Sequence, residues 1–206
     1  MERVVLGIDP GTVMMGYGVI KQVGKSMHFI EMDVLNLSKE PDTAKKLYRI
    51  FERTVALIDQ HQPSCVAIEA PFFGKNVQSM LKLGRAQGVA IAAAMSRNVP
   101  IHEYAPRKIK MAITGKGTAS KEQVAKMLFC LMPINESIPK HWDATDGLAA
   151  AVCHALQNTV GTGGAIQNAG TGHASSLQPS RKKSPSSKKY SDWETFVVKN
   201  ENRVIS

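Results

Sequence analysis

The chain lacks any long apolar run. Its longest charge-free stretch of that kind, Gly88 to Met95, falls far short of the roughly 20 residues that span a bilayer, which excludes a transmembrane helix. No secretory leader pattern precedes the first strand. Cysteine is scarce: Cys65, Cys130 and Cys153 are odd in number, show no CxxC spacing and lie among apolar neighbours. A disulfide-stapled scaffold is thereby excluded, and buried thiols in a reduced, bacterial-type cytoplasm are expected. Acidic side chains are also in deficit, 17 against 26 Lys plus Arg, for a net charge of +9 that suggests a nucleic-acid or other anionic partner. Of that excess, +4 falls on residues 157–206 and +5 on the first 156.

What is present reads as one globular domain followed by a tail. Val4 to Asp9 (VVLGID) is a β-branched apolar run closed by Pro10-Gly11, the pattern of a buried strand ending in a turn. Tyr17 to Val23 and Met27 to Leu35, separated by Gly24-Lys25-Ser26, extend it into an antiparallel meander. Leu47, Ile50, Phe51, Val55 and Ile58 recur at three- and four-residue steps and predict an amphipathic helix between Thr43 and His61. Cys65 to Ala70 (CVAIEA) is a further buried strand, Val77 to Arg97 a helix whose Gly84 and Gly88 permit close packing, and Pro100 to Tyr104 a short strand. A basic helical segment, Pro106 to Ile113, leads to Ser120 and Gln123, which form a capping box for a helix running to Met132. The last helix runs from near Asp143 to near Asn158. This order predicts an α/β fold, a mixed five-stranded sheet flanked by helices. Residues 1–158 form the domain; 159–206, rich in Gly, Thr, Ser, Gln and Lys, read as a flexible basic C-terminal tail with too few apolar groups to offset ordering entropy.

Four carboxylates stand out. Asp9 ends one apolar strand and Glu69 sits in another, where an ionised carboxylate costs several kcal/mol unless a cation compensates it. Asp143 and Asp146, at i and i+3, share one side of the first turn of the last helix, opposite the stripe Leu148, Val152 and Leu156. The small residues Gly147, Ala150 and Cys153 let that helix press against the sheet and bring its aspartates to Asp9 and Glu69. Taken singly, each acid also suits a turn or a helix N-terminus. Four together repel strongly unless one or two hard divalent cations join them, and two Mg²⁺ ions in such a site suit in-line displacement at a phosphodiester.

The segments LGIDPGT (Leu6–Thr12), GYGVI (Gly16–Ile20), IEAPFFGKN (Ile68–Asn76), LKLGRAQGVAIAAA (Leu81–Ala94) and DATDGLAAAVCHA (Asp143–Ala155) together resemble the RuvC family of Holliday junction resolvases. They follow that family's order and spacing over residues 1–158. The resemblance implies a ribonuclease H-like fold, a homodimer, and Mg²⁺-dependent nicking of two opposed strands of a four-way DNA junction. One or two Mg²⁺ ions are implied per site, with Mn²⁺ as a substitute. Its metal-binding acids fall on Asp9, Glu69, Asp143 and Asp146, and its active-site basic residues on Lys110 and Lys121. It further implies partnership with the RuvA and RuvB branch-migration complex.

A nuclease must also hold a polyanion. Lys75 and Asn76 follow Glu69 closely, Arg107, Lys108 and Lys110 form a basic cluster, and Lys116 and Lys121 flank the Gly-rich turn; all are candidate DNA contacts, although a solvated basic face would carry the same residues. Phe72 is a candidate for stacking on an unpaired base, with Phe73 as core or support. His141 has no partner at ligand spacing and is left out of the site, and Trp142 is expected to pack the helix start. Gly11, Gly16 and Gly18 are expected to allow tight turns and close approach near Asp9. Two other readings fit part of the pattern. The GIDPGT strand also opens actin-like ATPases and sugar kinases, but these need two lobes and a second glycine-rich phosphate loop. A junction-binding scaffold without catalysis would not require all four acids.

Overall fold

In the computed structural model, which describes residues 2–71, 76–132, 134 and 143–160, alternation along the strands decides what faces the site. Strands β1 (Glu2–Asp9), β2 (Met14–Val23), β3 (Ser26–Asn36), β4 (Cys65–Glu69) and β5 (Ile101–Tyr104) form one sheet in the order β3-β2-β1-β4-β5. The first three pair antiparallel as a meander, and β4 and β5 add parallel to β1, so the sheet is mixed as expected. Helices α1 (Thr43–His61) and α2 (Val77–Met95) cover one face. On the other lie α3 (Pro106–Thr114), α4 (Lys121–Leu131) and α5 (Asp143–Val160).

Because successive side chains point to opposite faces, Leu6 and Ile8 of β1 and Val66 and Ile68 of β4 enter the core under α1 and α2. Val5 and, on β4, Cys65 and Ala67 enter the core under α5. The same period turns Asp9 and Glu69, at the strands' C-terminal ends, toward α5. Each fully buried Leu or Ile contributes about 1.5–3 kcal/mol, and this rigid apolar frame offsets the cost of holding carboxylates at its edge.

Local chemistry explains the element ends. Asp42 accepts a hydrogen bond from the backbone N–H of Lys45 (2.8 Å) and starts α1, and the capping box of Ser120 and Gln123 opens α4 as expected. Gly24, at φ 59°, makes the tight β2–β3 turn. Strand β2 begins three residues before the expected Tyr17, since Met14 pairs with Asn36 of β3 and Gly16 with Asp9 of β1.

Helix packing corrects one expectation, the burial of Cys130. Helix α5 is enclosed on more than its sheet side: Ala144, Leu148, Ala149, Ala150, Ala151, Val152, Cys153 and Ala155 are all buried, because α3 and α4 pack over the side that α5 turns from the sheet. Cys130 is exposed, two residues and hence about 200° round α4 from buried Leu128. Gly84 and Gly88 pack against nothing among the described residues: a Cβ on either would meet no heavy atom within 4 Å. No described helix is long and apolar enough to cross a membrane.

Candidate active site

Ile8 of β1 pairs with Ile68 of β4, so Asp9 and Glu69, one step further along, end neighbouring parallel strands side by side. Asp143 and Asp146 come to them on the first turn of α5, and two glycines allow that approach. A Cβ on Gly7 would lie 2.1 Å from the carbonyl oxygen of Gly147, and one on Gly16 would lie 1.8 Å from that of Asp143. Any larger side chain at either position would push the helix off the sheet.

One carboxylate oxygen from each of Asp9, Asp143 and Asp146 falls within 4.8 Å of the others. The ammonium of Lys121, at the start of α4, donates to Asp146 (2.5 Å) and Asp143 (3.2 Å). Glu69, Lys110 and Lys121 line the same cleft of about 270 Å³ with Asp9 and Asp146, walled by Pro106, Ile109, Val124 and Ala149. A second depression shares Asp9, Glu69 and Pro106 and runs toward Leu83 and Gln87 of α2.

The charges are heavily perturbed. Burial first, and then the neighbouring Asp146 and Asp143, push the Asp9 carboxyl up to about 7 despite Lys121. Burial, followed by Asp9 and Asp146, raises Glu69 to about 8, against the pull of Lys121 and Lys110. Burial likewise raises Asp146 although Lys121 opposes it. Burial disfavours the charge on Lys121, but its bonds to Asp146 and Asp143 outweigh that and hold it above the ordinary lysine range.

The donor set fits a hard divalent cation. All its donors are carboxylate oxygens on rigid element ends, and the ammonium of Lys121 between Asp143 and Asp146 shows that the space between these groups accepts positive charge. Loading a cation there requires the carboxyls to be ionised, so protons leave Asp9 and Glu69 as it binds.

Six of the expected site residues thus converge: Asp9, Glu69, Asp143, Asp146, Lys110 and Lys121. Others do not join the cleft. Lys108 lies with its ammonium 5.1 Å from the centre of the Tyr104 ring, and Asn76 caps α2 by accepting from the N–H of Ser79. Arg107 and Lys116 are exposed around the turn between α3 and α4, where Gly117 packs against the Arg107 stem. Phe72, Phe73, Lys75, His141, Trp142 and the tail beyond Val160 lie outside the described residues. Sequence reasoning missed the walls Pro106, Ile109, Val124 and Ala149, and also Gly7, whose signal was a small residue two before Asp9 on its face of β1.

The sequence model of the family described as crossover junction endodeoxyribonuclease RuvC matches residues 5–154. RuvC of Christiangramia forsetii is 55% identical over 203 residues, 98% of this chain and 93% of that one. That of Bacteroides fragilis is 50% identical over 204 residues, 98% of this chain and 96% of the other. Thermus thermophilus RuvC superposes with a TM-score of 0.68 at 33% identity, covering 77% of this chain and 97% of that one. In complex with Holliday junction substrate, it superposes at 0.70 with 32% identity over 78% of this chain and 97% of that one. With the four acids gathered at the ends of β1, β4 and α5 and the match extending across the domain, the chain belongs to the RuvC family of crossover junction endodeoxyribonucleases.

Proposed function

We propose that this protein is a structure-selective DNA endonuclease that resolves four-way junctions in recombination and repair by symmetrical nicking of two opposed strands. The observation that carries the reading is the carboxylate cluster with a lysine in its midst, lining a cleft. The junction-bound structure of T. thermophilus RuvC supports the choice of substrate.

Asp9, Glu69, Asp143 and Asp146 would hold one or two Mg²⁺ ions, or Mn²⁺ in their place. Bound there, the metal would supply Lewis acidity at the phosphodiester and a more acidic attacking water. The carboxylates sit on strand ends and a helix start, so their spacing is set before substrate arrives. Lys121 and Lys110 bring positive charge to the phosphate as its negative charge grows, and the apolar walls Ile109, Val124 and Ala149 keep bulk water from screening them. Phe72, Lys75, Asn76, Arg107, Lys108 and Lys116 extend the reading to DNA held beyond the cleft, through phosphate contacts and base stacking.

Two symmetrical cuts call for two copies of the site. The outer face of α2 supports a homodimer: Val77, Leu81 and Met95 are 64%, 51% and 65% exposed, on one stripe with Gly84 and Gly88, where helices of two copies can approach closely. Partnership with a RuvA and RuvB complex and a cytoplasmic setting complete the reading; the free, buried thiols of Cys65 and Cys153 suit a reduced compartment.

The test is cleavage of a synthetic four-way junction, with and without Mg²⁺, against a linear duplex of the same sequence. Asp146→Asn is expected to abolish Mg²⁺-dependent nicking while junction binding survives. Full nicking by that variant, or equal cutting of the linear duplex, would overturn the proposal.

A further inference from the structure

A second set of metal-ligand side chains meets where β4 and α5 cross again, away from the carboxylates. The alternation that turns Glu69 toward α5 also turns Cys65 that way, four residues and roughly 13 Å earlier on β4. His154 stands eight residues after Asp146, roughly 12 Å along α5. On β5, His102 pairs with Ala67 and faces the same side. Cys65 Sγ lies 3.2 Å from His154 Nε2, and the rings of His102 and His154 are 4.4 Å apart. One ligand atom from each of the three falls within 4.8 Å of the others. Behind them, the Tyr104 hydroxyl is 2.8 Å from His154 Nδ1.

We propose that Cys65, His102 and His154 form a second metal site, for a borderline-soft divalent cation of the Zn²⁺ class, with Tyr104 fixing the orientation and tautomer of His154. Sulfur and nitrogen ligands of one tetrahedral zinc lie about 3.6 Å apart, close to the separation of Cys65 and His154. Thiolate and imidazole select Zn²⁺ over Mg²⁺, whereas the all-oxygen cluster selects the reverse, so the two sites sort their ions by chemistry. Cys65 and His154 are buried while His102 is exposed, which gives the ion a way in and leaves its fourth position to water. Each neutral imidazole offers a ring-nitrogen lone pair to the ion. A thiol binds as its thiolate, so binding forms the metal–sulfur bond and releases the one Cys65 proton to solvent. The ion would staple β4 and β5 to the helix that carries Asp143 and Asp146, a structural role distinct from cleavage.

The test uses the full-length protein carrying Cys130→Ser, which removes the exposed thiol, titrated with Co²⁺ in excess Mg²⁺. One equivalent per chain is expected to give tetrahedral cobalt bands and a thiolate-to-cobalt charge-transfer band, both displaced by Zn²⁺. Adding Cys65→Ser should remove the charge-transfer band. Adding His102→Ala, at an exposed position, should weaken Co²⁺ binding tenfold or more and abolish the rise in Tm produced by Zn²⁺, with Mg²⁺-dependent junction cleavage unchanged. Absence of the charge-transfer band at stoichiometric Co²⁺, its survival in Cys65→Ser, or unaltered affinity in His102→Ala would each overturn the proposal. Because cleavage is read separately, a failure here leaves the nuclease reading standing.

Discussion

Gly16 of β2 lies directly across the ladder from Asp9 and, on its open face, against the backbone of Asp143: a Cβ on Gly16 would come within 1.8 Å of the Asp143 carbonyl oxygen. One residue without a side chain thus sets the distance between an acid on β1 and the helix turn that carries two more. The contact is made by backbone on both sides, so no rotamer change can relieve a larger residue there.

Gly16→Ala is therefore expected to cost about 1–3 kcal/mol of stability through overpacking. Junction cleavage should fall more than stability does, by about 100-fold, because a shift of about 1 Å in the start of α5 misplaces the carboxylates. Denaturant melts and single-turnover cleavage on the purified variant measure the two effects separately.

The raised Asp9 and Glu69, at about 7 and about 8, set the pH response of the metal-free protein. Both titrate near 4 when unfolded, so between about pH 4 and 8 the folded chain holds protons that the unfolded chain has released. Stability falls as pH rises through that window and levels off above it. Asp9→Asn removes part of the repulsion and should raise Tm by a few degrees at pH 8 without metal, with little change near pH 5. Added Mg²⁺ should stabilise the parent and leave the variant nearly unmoved, which thermal melts across this range can check.

Lys121 holds Asp143 and Asp146 together and competes with any cation for them. Lys121→Met is expected to tighten Mn²⁺ binding, measured calorimetrically, while cleavage at saturating metal drops by about 10²–10³. Equal losses in metal affinity and rate would mark the lysine as merely structural. Lys121→Arg, which keeps the charge, should recover part of the rate.

Leu81 is half exposed on the apolar stripe of α2. If two copies meet there about a twofold axis, Leu81→Arg sets like charges against each other across the axis and should yield a monomer by light scattering. Paired incision of the junction should fall more steeply than nicking at a single strand. An unchanged molar mass would place the interface elsewhere.

Much of this was legible beforehand because its causes are local. The continuous apolar runs of VVLGID and CVAIEA marked buried strands with a charged group near each apolar end, and the i, i+3 spacing of Asp143 and Asp146 put both on one helical turn. The capping box at Ser120 likewise depends only on residues three apart. Features that depend on neighbours distant in sequence were harder to see. The exposed side of Cys130 and the burial of α5 on both sides follow from how α3, α4 and α5 stack, and the open surface at Gly84 and Gly88 from how α2 lies beside α1, none of which periodicity within one helix encodes.

The sequence by itself determined the strands, the helices and the four acids, since each is written in spacings of two to four residues. Only the tertiary structure decided that Lys121 stands between Asp143 and Asp146, that Lys108 turns to Tyr104 instead, and that Cys65, His102 and His154 meet. Apart from the Lys108–Tyr104 contact, whose residues are only four apart, those contacts join residues 22 to 89 apart, and the crossing of α5 over a twisted sheet fixes them.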